Sequence, residues 1–159
     1  MTRDFLDAWF ASEPTRCSVG SPGEALLVLL PLLTDNGASL SEEHLAVVAL
    51  SVRRKVLDAA VLTKGSSSFT VMDPSHIFRW ALTRKGRVPV RSIIVGHNHP
   101  GGDPTPSPQD SEITSLVIRG GSILNVPVVD HIIVGSEGRF FSFAEERPSM
   151  FIFASRQTT

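Results

Sequence analysis

Cysteine is nearly absent from the 159-residue sequence, which contains only Cys17. A single thiol cannot form an internal disulfide, and it excludes a structural zinc site built on several thiolates.

The longest apolar run, Ala25 to Leu33, is too short to span a bilayer, and the N-terminal residues lack a signal-peptide pattern. We therefore expect a cytoplasmic protein without a membrane partner.

A strong excess of charge of either sign is also missing. The chain has 15 basic and 16 acidic side chains and a formal net charge of −1, unlike the basic footprint of a dedicated nucleic-acid-binding domain. Two basic clusters, at residues 53–55 and 84–91, are interpreted as solvated loop or helix faces. Nucleic acid is therefore a weakly supported partner.

The apolar content of 42% is sufficient for the core of one domain. Three helix starts are predicted where a capping side chain precedes a proline, at residues 21–24, 73–74 and 107–110. The third helix is expected to end at Gly120-Gly121. Strand-like runs occur at residues 45–52, 56–63, 68–72, 90–96, 126–135 and 138–143. This alternation predicts a single α/β domain with a mixed β-sheet flanked by helices.

Polar side chains with metal-binding chemistry are concentrated in HNHPGGDPTPSPQD, residues 97–110. His97 and His99 end a predicted strand at positions i and i+2, so they leave one face about 6.5–7 Å apart. Asp110 lies in the first turn of the next helix, which the Pro-Gly-Gly turn allows to fold back. Two histidines and one carboxylate leave a fourth tetrahedral position open, as in catalytic zinc sites.

Ordinary structural roles explain the same residues. An H-x-H pair often decorates a surface strand, and Ser107-Pro-x-Asp110 is a good helix cap. The capping and metal-binding interpretations are compatible. Metal binding is favoured because all these residues surround one strand-turn-helix corner, where ligands usually gather in α/β folds. Asp103 is interpreted as part of the turn.

Hydrolysis also needs a carboxylate that acts as a general base. The upstream candidates are Glu24, Glu42, Glu43 and Asp58. Glu24 is expected to cap a helix. Glu42 and Glu43 should point to opposite faces of a strand, so only one can face the site, and the spacing does not decide which. Asp130-His131 is a further polar pair, in which we favour a loop-tying role for Asp130 and packing for His131 over direct catalysis.

The motif resembles that of a known family. HNHPGGDPTPS is similar to the HNHPSGDPTPS signature of the RadC branch of the JAMM (MPN+/JAB) metalloproteases, with Gly101 in place of a serine. Glu43-His44-Leu45 resembles the family's E-H-F segment, and residues 130–135 resemble its D-H-I-I-I-G strand. Ser75-His76 departs from the usual Arg-Glu. The resemblance covers about residues 21–146, between an N-terminal arm (1–20) and a C-terminal tail (147–159).

The resemblance implies a JAB/MPN fold, of cytidine-deaminase-like architecture, with zinc held by His97, His99 and Asp110. It also implies that Glu43 is the general base and that the Ser107 hydroxyl helps to hold the water or the oxyanion. The implied activity is hydrolysis of a peptide or isopeptide bond in a protein or peptide substrate.

Two other functions follow from the same resemblance. Because RadC relatives carry a DNA-repair label, one is a DNA-associated accessory protein. Longer RadC proteins have a helix-hairpin-helix region before this domain, and the matched region here begins near residue 21, so we expect no autonomous DNA binding. The other is a scaffold that retains the metal-binding residues and hydrolyses nothing.

Overall fold

The computed structural model describes residues 18–35, 38–65 and 72–152. Its helices are α1 (Pro22–Leu33), α2 (Pro74–Thr83), α3 (Pro108–Ile123), α4 (Phe143–Glu146) and α5 (Ser149–Ile152). Its strands are β1 (Thr34–Asp35), β2 (Ala38–Ser39), β3 (Glu43–Leu50), β4 (Val56–Gly65), β5 (Ser92–Asn98), β6 (Val128–Val134) and β7 (Phe140–Ser142). The predicted strand at residues 68–72 lies almost wholly outside the described residues.

Five strands form one mixed sheet in the order β4-β3-β5-β6-β7. β5 and β6 are parallel, and the other neighbouring pairs are antiparallel. The parallel pair is connected through α3, as parallel neighbours require a crossover connection. The predicted single α/β domain with helices flanking a mixed sheet is confirmed.

The two faces of the sheet carry separate hydrophobic clusters. Side chains alternate along β3, so that Ala46, Val48 and Leu50 pack with α1, whereas Leu45 and Val47 pack with α2 and α3. β3 is consequently buried on both faces and reads as a continuous apolar run. This three-layer arrangement fixes which residues of β3 and β5 face the N-terminal end of α3.

The predicted helix starts are confirmed. Ser21 and Glu24 form a reciprocal capping box at α1, and Asp73 accepts a hydrogen bond from the Ser75 backbone N–H at α2. Ser107 and Asp110 form a second capping box at α3. These caps satisfy backbone N–H groups that have no partner within the helix.

The predicted end of α3 at Gly120-Gly121 is wrong, because the helix continues to Ile123. Both glycines lie where the helix packs closely against its neighbours. A Cβ atom on Gly120 would lie 2.9 Å from Phe78 Cε2, and one on Gly121 would lie 2.6 Å from the Val126 carbonyl oxygen. The glycines therefore allow close packing and do not terminate the helix.

The ordered contacts also extend past the predicted domain bounds. Val19 is buried and donates a backbone hydrogen bond to Arg54. After residue 146, Met150 and Phe151 of α5 pack against the cluster that contains α2 and α3.

Within the described ranges, no helix is long and apolar enough to cross a membrane.

Replacement of Gly121 by alanine should destabilise the protein by about 1–3 kcal/mol, because the new methyl group meets backbone atoms that cannot rotate away. Gly23→Ala is the matched control, since nothing lies within 4 Å of its Cβ position, and it should be neutral or stabilise by up to about 1 kcal/mol. Urea unfolding in the presence of a chelator measures both. Equal midpoints for the two variants would contradict the packing explanation.

Candidate metal centre

The candidate site lies where β3 begins and β5 ends. Leu45 is paired directly with His97 across the antiparallel strands, so their side chains share a face of the sheet. Glu43, two residues before Leu45, shares that face. Glu43, His97 and His99 each offer one ligand atom, and these atoms all lie within 4.8 Å of one another. The structure therefore brings a carboxylate and two imidazoles together in a cluster that could hold a metal ion.

Asp110 contacts both histidines from the first turn of α3. Its Oδ1 lies 3.2 Å from His97 Nε2, and its Oδ2 lies 3.4 Å from His99 Nε2. The same carboxylate caps the helix, because Oδ2 accepts hydrogen bonds from the Ser107 backbone N–H at 2.7 Å and the Ser107 hydroxyl at 2.6 Å. The capping box and the approach to the histidines thus coexist in one side chain.

The geometry of the two histidine rings fits a metal ion. His99 Nδ1 lies 2.8 Å from the Asp103 carbonyl oxygen, which can only accept, so Nδ1 carries the proton and Nε2 of the neutral ring is unprotonated. The Nε2 atoms of His97 and His99 are 3.1 Å apart. Two nitrogen ligands at 2.0–2.1 Å from a tetrahedral zinc ion would be separated by about 3.3 Å.

The electrostatics of the cluster favour positive charge between the rings and the carboxylate. Burial alone would raise the pKa of Asp110, but its contacts with His97 and His99, together with the Ser107 hydroxyl, hold that pKa far below its ordinary value. Burial would likewise lower the pKa of His99, yet the hydrogen bonds that the charged ring makes with Asp110 and the Asp103 carbonyl raise it above its ordinary value. A shared proton or a bound cation would satisfy this cluster.

Asn98 anchors the strand that carries Glu43, a contact that the sequence reasoning missed. Its side-chain Nδ2 donates to the Glu42 carbonyl at 3.0 Å, and its Oδ1 accepts from the His44 backbone N–H at 2.8 Å. The fully buried amide thus holds the backbone on both sides of Glu43. The only sequence signal is an amide between two histidines at the end of a buried strand.

His131 contacts the site, whereas the sequence reasoning favoured packing alone. Its Nε2 lies 2.8 Å from His97 Nδ1, and its Nδ1 lies 2.6 Å from the Thr114 hydroxyl oxygen. The ring also stacks on Phe143 with a centroid separation of 5.0 Å. Burial holds the pKa of His131 well below its ordinary value. Thr114 is four residues after Asp110 on the same helix face, which is the signal that could have identified it.

Asp130, the neighbour of His131, lies within β6 and holds the start of α4, whereas the sequence reasoning favoured the tying of a loop. Its carboxylate accepts hydrogen bonds from the Ser142 hydroxyl at 2.7 Å and the Ala144 backbone N–H at 3.0 Å. Burial raises the pKa of Asp130 above its ordinary value despite these bonds. Asp130 therefore contacts the start of α4, whereas His131 contacts the candidate metal centre.

The other candidate carboxylates have structural roles. Glu24 caps α1, Asp58 forms an ion pair with Arg84 at 3.2 Å, and Asp103 accepts hydrogen bonds from Thr105 within the turn. Glu42 is exposed and precedes β3. Of the four upstream candidates for the general base, Glu43 is the one that the structure brings to the histidines.

Comparison with known proteins identifies relatives that match most of the chain. Residues 22–148 match the model of the RadC-like JAB domain. A UPF0758 protein of Caldanaerobacter subterraneus is 37% identical over 136 residues, covering 82% of this chain and 56% of the relative. A UPF0758 protein of Methanococcoides burtonii is 33% identical over 137 residues, covering 86% and 56%. The chain spans about half the length of these curated relatives. On these matches and this fold, the chain belongs to the RadC-like JAB domain family.

Proposed function

We propose that this protein is a zinc-dependent hydrolase of the JAMM type that cleaves a peptide or isopeptide bond. The observation that carries the proposal is the convergence of Glu43 with His97 and His99, whose ligand atoms lie within 4.8 Å of one another. Two imidazoles with a nearby carboxylate are a common basis for metal-assisted hydrolysis.

We assign His97, His99 and Asp110 as the zinc ligands. Asp110 is favoured over Glu43 because its carboxylate contacts both Nε2 atoms and is held in place by Ser107. Three protein ligands leave one tetrahedral position open, which is typical of catalytic zinc. When bound, zinc supplies a Lewis acid for the scissile carbonyl and lowers the pKa of water toward about 7.

Glu43 is the proposed general base. It approaches the histidines from β3, whereas Asp110 approaches them from α3. A carboxylate in this position can take a proton from the attacking water and deliver it to the leaving amine. Asn98 supports this role, because it anchors the backbone at Glu42 and His44 and so limits the movement of Glu43.

Ser107 is the proposed donor to the oxyanion that forms when water attacks the carbonyl. Its hydroxyl proton is directed to Asp110 Oδ2 in the structure, so the hydroxyl must turn to donate to substrate. Its backbone N–H can continue to hold Asp110 meanwhile. Loss of one oxyanion donor typically costs about 2.7–4 kcal/mol of transition-state stabilisation.

Zinc content tests the metal assignment. The wild-type protein, prepared without chelators, should contain close to one equivalent of zinc, and His97→Ala/His99→Ala should contain almost none, because two of three ligands are lost. His76→Ala is the control, since His76 is an exposed residue of α2. Elemental analysis of the purified proteins measures all three. Equal zinc content in the wild type and the double variant would contradict the proposal.

The general base is tested by Glu43→Gln, with Glu42→Gln as the control one residue earlier. Glu43→Gln should retain zinc and lower turnover by about 10²–10⁴-fold, since an amide cannot accept the proton. Glu42→Gln should behave as the wild type. A panel of fluorogenic peptides and lysine-linked isopeptides serves as substrate.

Loss of zinc from Glu43→Gln would instead identify Glu43 as a ligand and contradict its assignment as base. Wild-type protein that binds zinc but cleaves no member of the panel would favour the scaffold function.

A further inference from the structure

His97, His131, Thr114 and Asp110 form a closed ring of contacts behind the candidate metal centre. The ring begins at the Asp110 carboxylate, 3.2 Å from His97 Nε2. From His97 Nδ1 it passes to His131 Nε2 at 2.8 Å, and from His131 Nδ1 to the Thr114 hydroxyl oxygen at 2.6 Å. It returns to Asp110 through a hydrogen bond from the Thr114 hydroxyl to the Asp110 carbonyl oxygen.

The backbone carbonyl of Asp110 sets the direction of the hydrogen bonds that run through Thr114 and His131 to His97. A carbonyl oxygen can only accept, so the single proton of the Thr114 hydroxyl is directed to Asp110. The Thr114 oxygen must then accept from His131 Nδ1. Because the His131 ring is 1% exposed, its charged form is strongly disfavoured. With its one proton on Nδ1, His131 presents an unprotonated Nε2 to His97.

We propose that Thr114 and His131 are positioning residues that hold the proton of His97 on Nδ1 and leave its Nε2 unprotonated toward Asp110 and His99. A histidine binds metal through a nitrogen that carries no proton, and a partner on the other nitrogen decides which one that is. Partners that orient a ligand histidine are more often a carboxylate or a backbone carbonyl. Here a neutral histidine has this role, and a threonine fixes its tautomer.

His99 has an analogous arrangement with a simpler partner. Its Nδ1 donates directly to the Asp103 carbonyl. The hydrogen bonds that begin at Nδ1 of each imidazole therefore end at a backbone carbonyl. His99 reaches its carbonyl directly, and His97 reaches one through the side chains of His131 and Thr114. The longer path suits His97, because His131 lies on the neighbouring strand β6, paired with Val95 two residues before His97.

The proposal rests on the proposed zinc site, and the first experiment does not need zinc or activity. Histidine-labelled, metal-free wild-type protein is measured by long-range ¹H–¹⁵N correlation. His131 should carry its proton on Nδ1 and not on Nε2, and His97 should carry a proton on Nδ1. A proton on His131 Nε2 would overturn the proposal, whether or not the protein is a hydrolase.

The second experiment compares Thr114→Val with Thr114→Ser by competition with a chromogenic zinc chelator. Valine keeps the volume of threonine but has no hydroxyl, so His131 can move its proton to Nε2 and His97 then becomes protonated on the metal-facing nitrogen. Zinc affinity should fall by about 10–100-fold for Thr114→Val. Thr114→Ser retains the hydroxyl and should bind zinc nearly as the wild type.

Thr83→Val is the matched control, because Thr83 makes the same hydroxyl-to-carbonyl bond within α2, from its Oγ1 to Arg79. It should leave zinc affinity unchanged. Unchanged affinity in Thr114→Val, or an equal loss in Thr114→Ser, would overturn the proposal. If Thr114→Val does not fold, the tautomer of His131 in the wild type still decides it. Wild-type protein with the expected tautomers but no affinity for zinc would contradict the proposed function alone.

Discussion

The antiparallel pairing of β3 with β5 is the constraint on which the candidate centre depends. By placing Leu45 opposite His97, this register brings Glu43 to the histidines from a distant part of the sequence. A slip of one residue would turn Glu43 to the opposite face and present Glu42 or His44 instead, depending on the direction of the slip. Hydrophobicity alone does not fix this register, because β3 is apolar on both faces. The hydrogen bonds of Asn98 to the Glu42 carbonyl and the His44 backbone N–H hold it.

Asp110 has two roles, one as the cap of α3 and one as a member of the candidate metal centre. Its carboxylate caps the helix through Ser107 and contacts both histidines, while its backbone carbonyl accepts from Thr114. The start of α3 is therefore fixed by the same atoms that complete the cluster. Any displacement of this helix end would therefore change the geometry of the cap and of the centre together. The cap thus helps to fix the position of Asp110 relative to the histidines at the other end of the short loop between β5 and α3.

The fold and the corner at residues 97–110 could be predicted from the sequence because their signals are local. Helix caps at Ser21, Asp73 and Ser107 depend on neighbouring residues, and so does the placement of His97 and His99 at the end of a strand. The choice of Glu43 over Glu42 could be reached only through the family resemblance, since it depends on strand register. Asn98, Thr114 and His131 were missed as supporting residues because their partners lie on other elements or one turn away.

The end of α3 was misjudged for a related reason. A glycine pair has the local signature of a helix terminus, but the neighbouring chain at Val126 and the ring of Phe78 leave no room for a side chain there. The sequence shows that glycine is present without showing whether conformational freedom or small size is required. Tertiary contacts decide between these two requirements.

The candidate centre gathers groups that would repel one another without a cation or proton between them. The neutral imidazole nitrogens and the carboxylate oxygens are all acceptors, so the fold must hold them together against their mutual repulsion. Separate anchors do this: Asp103 for His99, His131 for His97, Ser107 for Asp110 and Asn98 for the strand of Glu43. Because each of the four groups has its own anchor, the ligand geometry is formed before a cation binds.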